Sequence, residues 1–495
     1  MFLYTRMLFS MGVSLYTSRV LLQALGVEDF GIYNVVAGVS LSITFFTLSL
    51  TQATQRFLNF EMGRGNDENV SRVFSLSLIA FAVLGLIVLI IGWTIGEWFV
   101  VNKLVIPPQK LSAAITVLHV TIVSFALTFV FTVFESVVIA RENMKLFAYL
   151  GIVDAVGKLL VAFLIQLSDE RLVFYALGLM AVQVIPRLVT ALYCLRKYPE
   201  SRPRFFWDFK MFKEIFTFAG WNVYSGAVWI IAEQGANFLL NIFFGPAVNA
   251  ARGIANQVFL AINNFINNFL TAIRPQMIKR YASGDFDSMK ELLYNSTRFA
   301  FLMFFILTLP IELRVSYILS IWLDKVPEFA SIFINLLLIQ GLVVTLNYPI
   351  IIVNNASGRL KNPVLYGSSL QMLQLPLGYI AFKFNAPPMM IYIFAILSNM
   401  LYNAVNYYFA SRAINLSLKE YSVKVFYSLS CAVIPAVILS VFVNALIPET
   451  FIGFVLVVII SVLITIASAF FLGITRSERI VVVAKAKEIM AKMRR

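Results

Sequence analysis

Six polar side chains follow one face of an otherwise apolar stretch between residues 245 and 281. They are Asn249, Arg252, Asn256, Asn263, Asn267 and Arg274, called here the polar row. Their spacing of three, four and seven residues places them together on a helix of 3.6 residues per turn. In lipid such groups would have no hydrogen-bond partners, so we expect the row to line a water-filled cavity. Amides suit sugar hydroxyls and arginines suit anions, which predicts a site for a polar, anionic ligand.

Two further arginines within apolar stretches are candidates for the site. Arg187 follows Gln183 by one helical turn, and Arg19 lies near the outer end of the first stretch, beside Glu28 and Asp29. An arginine at mid-membrane costs about 2.5–3.5 kcal/mol on insertion scales, so each needs a partner, water or a substrate. We expect Arg187 to be a second cation of the cavity. Arg19 fits an ion pair as well as it fits substrate contact.

Four charged residues are candidates for coupling transport to a proton or a sodium ion: Glu135, Asp154, Lys158 and Glu233. The i, i+4 spacing of Asp154 and Lys158 predicts an ion pair on one helical face. We favour a structural bridge for that pair, with half of an ion-coupling switch as the alternative. Glu135 is close enough along the same helix to pair with Arg141.

The chain around these residues is apolar enough to cross a membrane many times. Of its 495 residues, 60% are hydrophobic and only 13% are charged. Runs of bilayer length therefore predict an all-α membrane protein of about fourteen spans. The spans are 3–24, 31–55, 73–97, 112–138, 146–167, 172–194, 214–236, 247–273, 294–318, 329–353, 363–383, 389–410, 424–446 and 451–473.

The net charge of +14 follows the predicted topology. Of the 39 Lys and Arg residues, 28 fall in one alternating set of connections, the tail included, and seven in the other. Cytoplasmic connections are the ones enriched in Lys and Arg, so the bias predicts that both termini are cytoplasmic. The positive charge therefore indicates no nucleic-acid partner.

Residues for enzymatic chemistry are scarce. His119 is the only histidine, and it lies in an apolar stretch that favours a hydrogen-bonded core residue over a catalyst. No cluster has metal-ligand spacing, and no phosphate-binding glycine loop is present. We predict that the chain is not an enzyme, with no catalytic residues, no metal and no cofactor.

The two halves of the chain resemble each other at an offset near 219 residues. Gly26, Arg56 and the run 63–67 correspond to Gly245, Arg274 and the run 282–285. An even number of spans separates the copies, so the repeat is parallel, as in transporters that rock two lobes around a central site. The predicted domains are a lobe of spans one to six (1–195), a cytoplasmic linker (196–213), a lobe of spans seven to twelve (214–412), two extra spans (413–475) and a basic amphipathic tail (476–495).

Three segments carry a family resemblance: 18–34 (SRVLLQALGVEDFGIYN), 245–257 (GPAVNAARGIANQ) and 272–285 (AIRPQMIKRYASGD). They resemble the polysaccharide-exporter branch of the multidrug/oligosaccharidyl-lipid/polysaccharide exporter superfamily, whose members are flippases for lipid-linked O-antigen or capsule repeat units. The resemblance implies two six-helix lobes that enclose a cationic cavity. In related flippases, arginines of the first, second and eighth spans line it, and Arg19, Arg252 and Arg274 lie in comparable spans here.

The resemblance also implies a substrate and its surroundings. The substrate would be an undecaprenyl-pyrophosphate-linked oligosaccharide, moved by alternating access from the inner to the outer leaflet of a bacterial cytoplasmic membrane. Arg252, Arg274 and Arg187 would hold the pyrophosphate, and the asparagines would bind the sugars. Membrane lipids, a polysaccharide polymerase and a chain-length regulator are the expected partners.

Two other functions are weighed against this one. A cation-coupled multidrug exporter of the same fold would need acidic cavity walls, whereas the polar row is rich in Arg and Asn. A membrane polysaccharide polymerase or acyltransferase would need a sizeable external loop or a reactive His/Asp pair, and the sequence has neither.

Overall fold

The computed structural model describes residues 49–103, 106–204, 206–323 and 326–474, with nine single residues besides (9, 13, 17, 20, 21, 24, 25, 33 and 479). Every regular element in these residues is helical. The predictions for Arg19 and for a helical tail fall outside them.

The described residues from 49 to 197 form six helices joined by short connections. A turn of π-helix, Gly92–Gly96, continues the second helix into the third. The helices are α1 (49–63), α2 (Asp67–Ile91), α3 (Glu97–Lys103), α4 (Leu111–Ala140), α5 (Met144–Leu164) and α6 (Arg171–Lys197).

The rest of the described chain adds ten helices. Short π-helical and 3-10 segments, Pro363–Ser368 and Gln371–Leu373, precede the twelfth. The helices are α7 (Phe209–Phe244), α8 (Pro246–Ala282), α9 (Phe286–Leu313), α10 (Val315–Trp322), α11 (Ala330–Ser357), α12 (Gln374–Lys383), α13 (Met390–Ile414), α14 (Leu418–Tyr421), α15 (Ser428–Leu446) and α16 (Phe451–Ser468).

These helices match the predicted spans from the third onward. Within the described residues, nine helices are long and apolar enough to cross a membrane. The predicted eighth and twelfth spans correspond to α8 and α13, and the eleventh to the irregular segment that ends in α12. The prediction of an all-α membrane protein is confirmed.

Polar caps explain where several helices begin. The side chains of Asn66, Asn143 and Asp285 accept hydrogen bonds from main-chain N–H groups three residues later, which satisfies donors that a helix start leaves unpaired. Gly65 and Gly284, just before two of these caps, both have positive φ, 70° and 76°. The two turns are 219 residues apart, so the offset of the sequence repeat recurs in the backbone.

The chain divides into two compact units. Unit 1 comprises Met1–Gly226 and Arg274–Gly284, and unit 2 comprises Ala227–Ile273 and Asp285–Arg495. In unit 1, α4 packs against α2 and α6, with Val117 and Leu118 fully buried in the core. In unit 2, α9 packs against α11, α15 and α16.

The connection from α6 to α7 is anchored to unit 1. Its single turn Pro199–Ser201 buries Glu200, whose carboxylate accepts from Nε of Arg141 at the end of α4 over 2.7 Å. The main-chain N–H of Arg204 donates to the Ser75 hydroxyl of α2 over 3.1 Å. This part of the predicted linker is therefore held against α2 and the end of α4.

Candidate functional site

Helix α8 carries the polar row over a length that exceeds the membrane core. Its 37 residues extend about 55 Å, whereas the hydrocarbon core of a bilayer is about 30 Å thick. Arg252 and Arg274 are 22 residues apart, or about 33 Å along the helix axis at 1.5 Å per residue. The two arginines are therefore too far apart for one pyrophosphate to contact both at the same time. Their separation instead matches the thickness of the hydrocarbon core.

Arg252 is buried in an ion pair. Its side chain is 5% exposed, and its Nη2 atom lies 2.6 Å from Oε1 of Glu233 on α7. The Asn256 side-chain amide donates to the same oxygen over 3.2 Å. The guanidinium carbon lies 5.3 Å from the ring centroid of Tyr392 on α13, within the range of a cation–π interaction. Two donors of the polar row thus converge on one anionic oxygen.

Two more asparagines of the row contact neighbouring helices. The side chain of Asn249 donates to the main-chain oxygen of Asn237 on α7 over 3.3 Å. Asn263 accepts a hydrogen bond from the Tyr348 hydroxyl of α11 over 2.9 Å. Each contact uses one atom of the amide and holds α8 within unit 2. Oδ1 of Asn249 is buried with no hydrogen-bond partner among the described residues.

The exposed side of α8 lies beside the polar row and includes only Asn267 of its six residues. Asn267 is exposed, and so are Gln257 and Asn264, whereas Ile262 and Ile266 are buried. An exposed amide within a membrane span needs water or a polar ligand as its partner. Asn267 is thus the asparagine of the row with the most open side chain.

The C-terminal end of α8 packs against α1 in unit 1. A β-carbon at Gly63 would lie 2.5 Å from the main-chain oxygen of Lys279 and 2.8 Å from Cβ of Ala282. Lys279 also pairs over 2.7 Å with Glu142, which lies in the short connection between α4 and α5. Arg274 lies on this part of α8, and its Nε is buried with no hydrogen-bond partner among the described residues. A buried donor without a partner is costly, so Arg274 retains an unused hydrogen-bond donor at this position.

Four of the predicted site residues meet in a second place, a cavity of about 430 Å³ in unit 1. It lies between α4, α5 and α6 and is called here the unit 1 cavity. Nε of Arg187 lies 3.1 Å from Oε1 of Glu135, and Nζ of Lys158 lies 2.6 Å from Oδ2 of Asp154. The predicted pairing of Asp154 with Lys158 is confirmed. Arg187 lines this cavity together with two carboxylates, and no residue of the polar row is among its lining.

The suggested pairing of Glu135 with Arg141 is wrong. Arg141 pairs with Glu200 of the linker, and Glu135 pairs with Arg187 of α6. The sequence distance along α4 favoured a local pair, but Arg141 follows the last residue of that helix and turns toward the linker. The tertiary contact between α4 and α6 therefore decides the partner of Glu135.

Several residues of these sites were not found by sequence spacing. Tyr348 and Tyr392 contact the polar row from helices far along the chain, and Phe147 lines the unit 1 cavity. Their sequence neighbourhoods carry no helical pattern that points to α8 or α6. The pairing of Glu233 with Arg252 was missed for the same reason, since the two residues lie on consecutive helices.

The comparisons with known proteins agree with this architecture. A family model described as "Polysaccharide biosynthesis protein" matches residues 1–280, more than half of the chain. The chain belongs to this family. The membership confirms the resemblance to the polysaccharide-exporter branch of the multidrug/oligosaccharidyl-lipid/polysaccharide exporter superfamily. The protein is thus a multi-pass membrane transporter of a family named for polysaccharide biosynthesis.

The individual proteins that match this chain have low sequence identity to it. EpsK of Bacillus subtilis, described as an uncharacterized membrane protein, is 22% identical over 369 residues, which are 73% of this chain and 72% of EpsK. The MATE transporter VcmN of Vibrio cholerae in its bent form has a TM-score of 0.68 at 16% identity, covering 86% of this chain and 98% of that one. A transporter of the MOP superfamily from Pyrococcus furiosus has a TM-score of 0.69 at 14% identity, covering 84% of this chain and 95% of that one. These structures share the fold.

Proposed function

We propose that the protein is a flippase that moves undecaprenyl-pyrophosphate-linked oligosaccharide repeat units from the inner to the outer leaflet of a bacterial cytoplasmic membrane. The observation that carries the proposal is the composition and geometry of α8. This helix has arginines about 33 Å apart, exposed amides between them and no acidic residue. Such a helix favours an anionic head group with many hydroxyls.

The separation of the arginines favours a sequence of contacts. Arg274, near the lysine- and arginine-rich end of α8, would take the pyrophosphate first. The exposed amides, Asn267 among them, would exchange hydrogen bonds with the sugars during the crossing. Arg252 would take the pyrophosphate at the far side. The polyprenyl tail would stay in lipid throughout.

The ion pair of Arg252 provides a means of release. Nη2 of Arg252 and the Asn256 amide already bind one carboxylate oxygen of Glu233. A pyrophosphate oxygen would compete with that carboxylate for the same two donors. The return of Glu233 would then displace the head group, so that the empty carrier regains the pair seen here.

The test uses the purified full chain in proteoliposomes loaded with undecaprenyl-pyrophosphate-linked oligosaccharide. Arg274→Gln and Arg252→Lys should each lower the flipping rate about tenfold or more, the effect of losing one hydrogen bond to a charged group. Arg280→Ala, a basic residue six positions further along α8, serves as the matched control and should flip at the unchanged rate. Full activity of both variants at Arg252 and Arg274 would overturn the proposed role of α8.

A multidrug exporter of the same fold is the rival proposal. Coupling of transport to an ion is compatible with either function. Glu135, Asp154 and Glu233 are each paired with a base, so a coupling proton or sodium ion would have to displace Arg187, Lys158 or Arg252. Disruption of the gene in its own host should cause accumulation of lipid-linked oligosaccharide under our proposal. Sensitivity to cationic dyes without such accumulation would favour the drug exporter.

The remaining features of the proposal follow from the charge distribution and the family. Both termini would be cytoplasmic, and the lobes would comprise 1–195 and 214–412, with a cytoplasmic linker between them and two extra spans after the second lobe. Surface polysaccharides of the O-antigen or capsule kind would be the products. A polymerase and a chain-length regulator would act on the exported units.

A further inference from the structure

We infer that the unit 1 cavity is a subsite for one uncharged glycosyl residue of the substrate, separate from the pyrophosphate contacts of α8. The inference rests on the proposed function for the identity of the substrate. It stands independently on the size, charge and donor set of the cavity. At about 430 Å³ the cavity falls in the range of about 300–1,000 Å³ usual for small-molecule sites.

The charges of the cavity cancel. Two carboxylates, of Glu135 and Asp154, face two cations, of Arg187 and Lys158, and each acid lies within 3.1 Å of its base. A pyrophosphate would meet both carboxylates, and a cationic drug would meet both bases. A neutral ligand meets neither repulsion, so the wall discriminates against charge of either sign.

The same pairs suit hydroxyl groups. A sugar hydroxyl donates one hydrogen bond and accepts others, and each ion pair presents an acceptor oxygen beside a donor nitrogen. Nε of Arg187 lies 3.1 Å from Glu135 but is buried with no hydrogen-bond partner among the described residues. Oε1 of Gln183 accepts from Ser124, which leaves the amide nitrogen of Gln183 as a donor. Neighbouring hydroxyls of a sugar ring can use these groups together.

Most of the remaining cavity wall is apolar. Phe147 and Leu150 of α5 and Val138 of α4 contribute to the lining. A pyranose has C–H faces as well as hydroxyl edges, and an aromatic ring offers a platform for such a face. Polar groups on one side and an aromatic ring on another are what a sugar ring requires.

The first test is protection of an introduced thiol. Leu150→Cys, in a chain that also carries Cys431→Ser, places a thiol in the cavity wall, while the natural Cys194 is buried. Purified protein is treated with a water-soluble thiol reagent in the presence of glucose, glucuronate or inorganic pyrophosphate. Glucose should slow the modification severalfold, and the two anions should not.

The controls make each outcome decisive. Leu167→Cys, at a residue that is 80% exposed and lies outside the cavity, should react at the same rate with every probe. Gly151→Cys, also in the cavity wall, replaces Leu150→Cys if that variant does not fold. Equal rates with and without glucose at both cavity positions, or protection by pyrophosphate, would overturn the inference.

The second test separates the subsite from a structural role. Asp154→Asn combined with Lys158→Gln removes both charges at once, so neither is left unpaired. In proteoliposomes, the half-saturating concentration of a polyprenyl pyrophosphate that carries one uncharged sugar should rise about tenfold, the effect of losing a hydrogen bond to a charged group. The value for the same lipid without sugar should not change. A structural role would impair both lipids equally and would contradict the subsite.

The two tests also distinguish the inference from the proposed function. If the unchanged protein moves neither lipid, the proposed flippase activity fails, but thiol protection by glucose would still establish a sugar site. If both lipids move at unaltered half-saturation in the double variant, the flippase stands and the subsite is refuted.

Discussion

The availability of each intramembrane charge depends on its partner. Three acids within predicted spans are each held by a base on the same helix or on a neighbouring one. The pairs are Glu135–Arg187, Asp154–Lys158 and Glu233–Arg252. Charges that are paired in this way cost less to hold in a membrane than isolated ones. Arg274 has no ion pair among the described residues, and its Nε is buried without a hydrogen-bond partner there, so it differs from these three paired bases.

The pair of Arg252 and Glu233 should behave as a coupled unit. Arg252→Gln leaves the Glu233 carboxylate without its base, whereas adding Glu233→Gln removes both charges. The single variant should lose more stability than the double variant. The single variant should lose less than the value of about 3–5 kcal/mol expected when a fully buried pair is broken, because the Glu233 side chain is 27% exposed. Thermal unfolding in detergent measures this order, and a double variant less stable than the single one would contradict it.

At the scale of helices, the contact between α1 and α8 depends on a glycine. Replacing Gly63 by alanine would bring a β-carbon within 2.5 Å of the main-chain oxygen of Lys279, so the helices must separate. Overpacking of this kind typically costs about 1–3 kcal/mol. Gly63→Ala should therefore lower the melting temperature and release the end of α8 that carries Arg274.

Gly220 of α7 supplies the matched control for Gly63. A β-carbon there would meet no atom within 4 Å, and alanine is the better helix former by about 0.8–1.0 kcal/mol. Gly220→Ala should leave the melting temperature unchanged or raise it. An equal loss of stability in both variants would mean that the close contact at Gly63 is not the cause.

The linker should be held by its buried acid. Glu200→Gln removes the charge that Arg141 binds, and the segment that contains Arg202 and Arg204 should then move away from α2 and α4. Limited trypsin digestion should cut this segment faster than in the unchanged protein. Glu170→Gln, at an exposed acid before α6, should digest at the unchanged rate. No difference between the two variants would contradict an anchoring role for Glu200.

Across the whole molecule, local spacing predicted what lies along one helix and missed what lies between helices. The spans from the third onward, the pair of Asp154 with Lys158 and the offset of 219 residues were readable because each depends on periodicity or short distance. The partners of Glu135 and Arg252 depend on which helices pack together, which no spacing encodes. The distance of about 33 Å between Arg252 and Arg274 depends only on 22 residues of continuous helix, so it is also readable from the sequence.

The same separation predicts how the proposed transport responds to voltage. Between Arg274 and Arg252 the exposed polar side chains of α8 are amides, so a doubly charged pyrophosphate would cross most of the field without a cation travelling beside it. An inside-negative potential then favours export by about 2.3 kcal/mol per charge per 100 mV, or about 4.6 kcal/mol for two charges.

Proteoliposomes of one orientation with imposed potassium diffusion potentials should flip the lipid faster when the cytoplasmic side is negative and more slowly when the sign is reversed. Arg280→Ala should keep the same voltage dependence. Flipping rates that do not depend on the potential would mean that the charge of the pyrophosphate is neutralised throughout the crossing. The field would then act only on the return of the empty carrier.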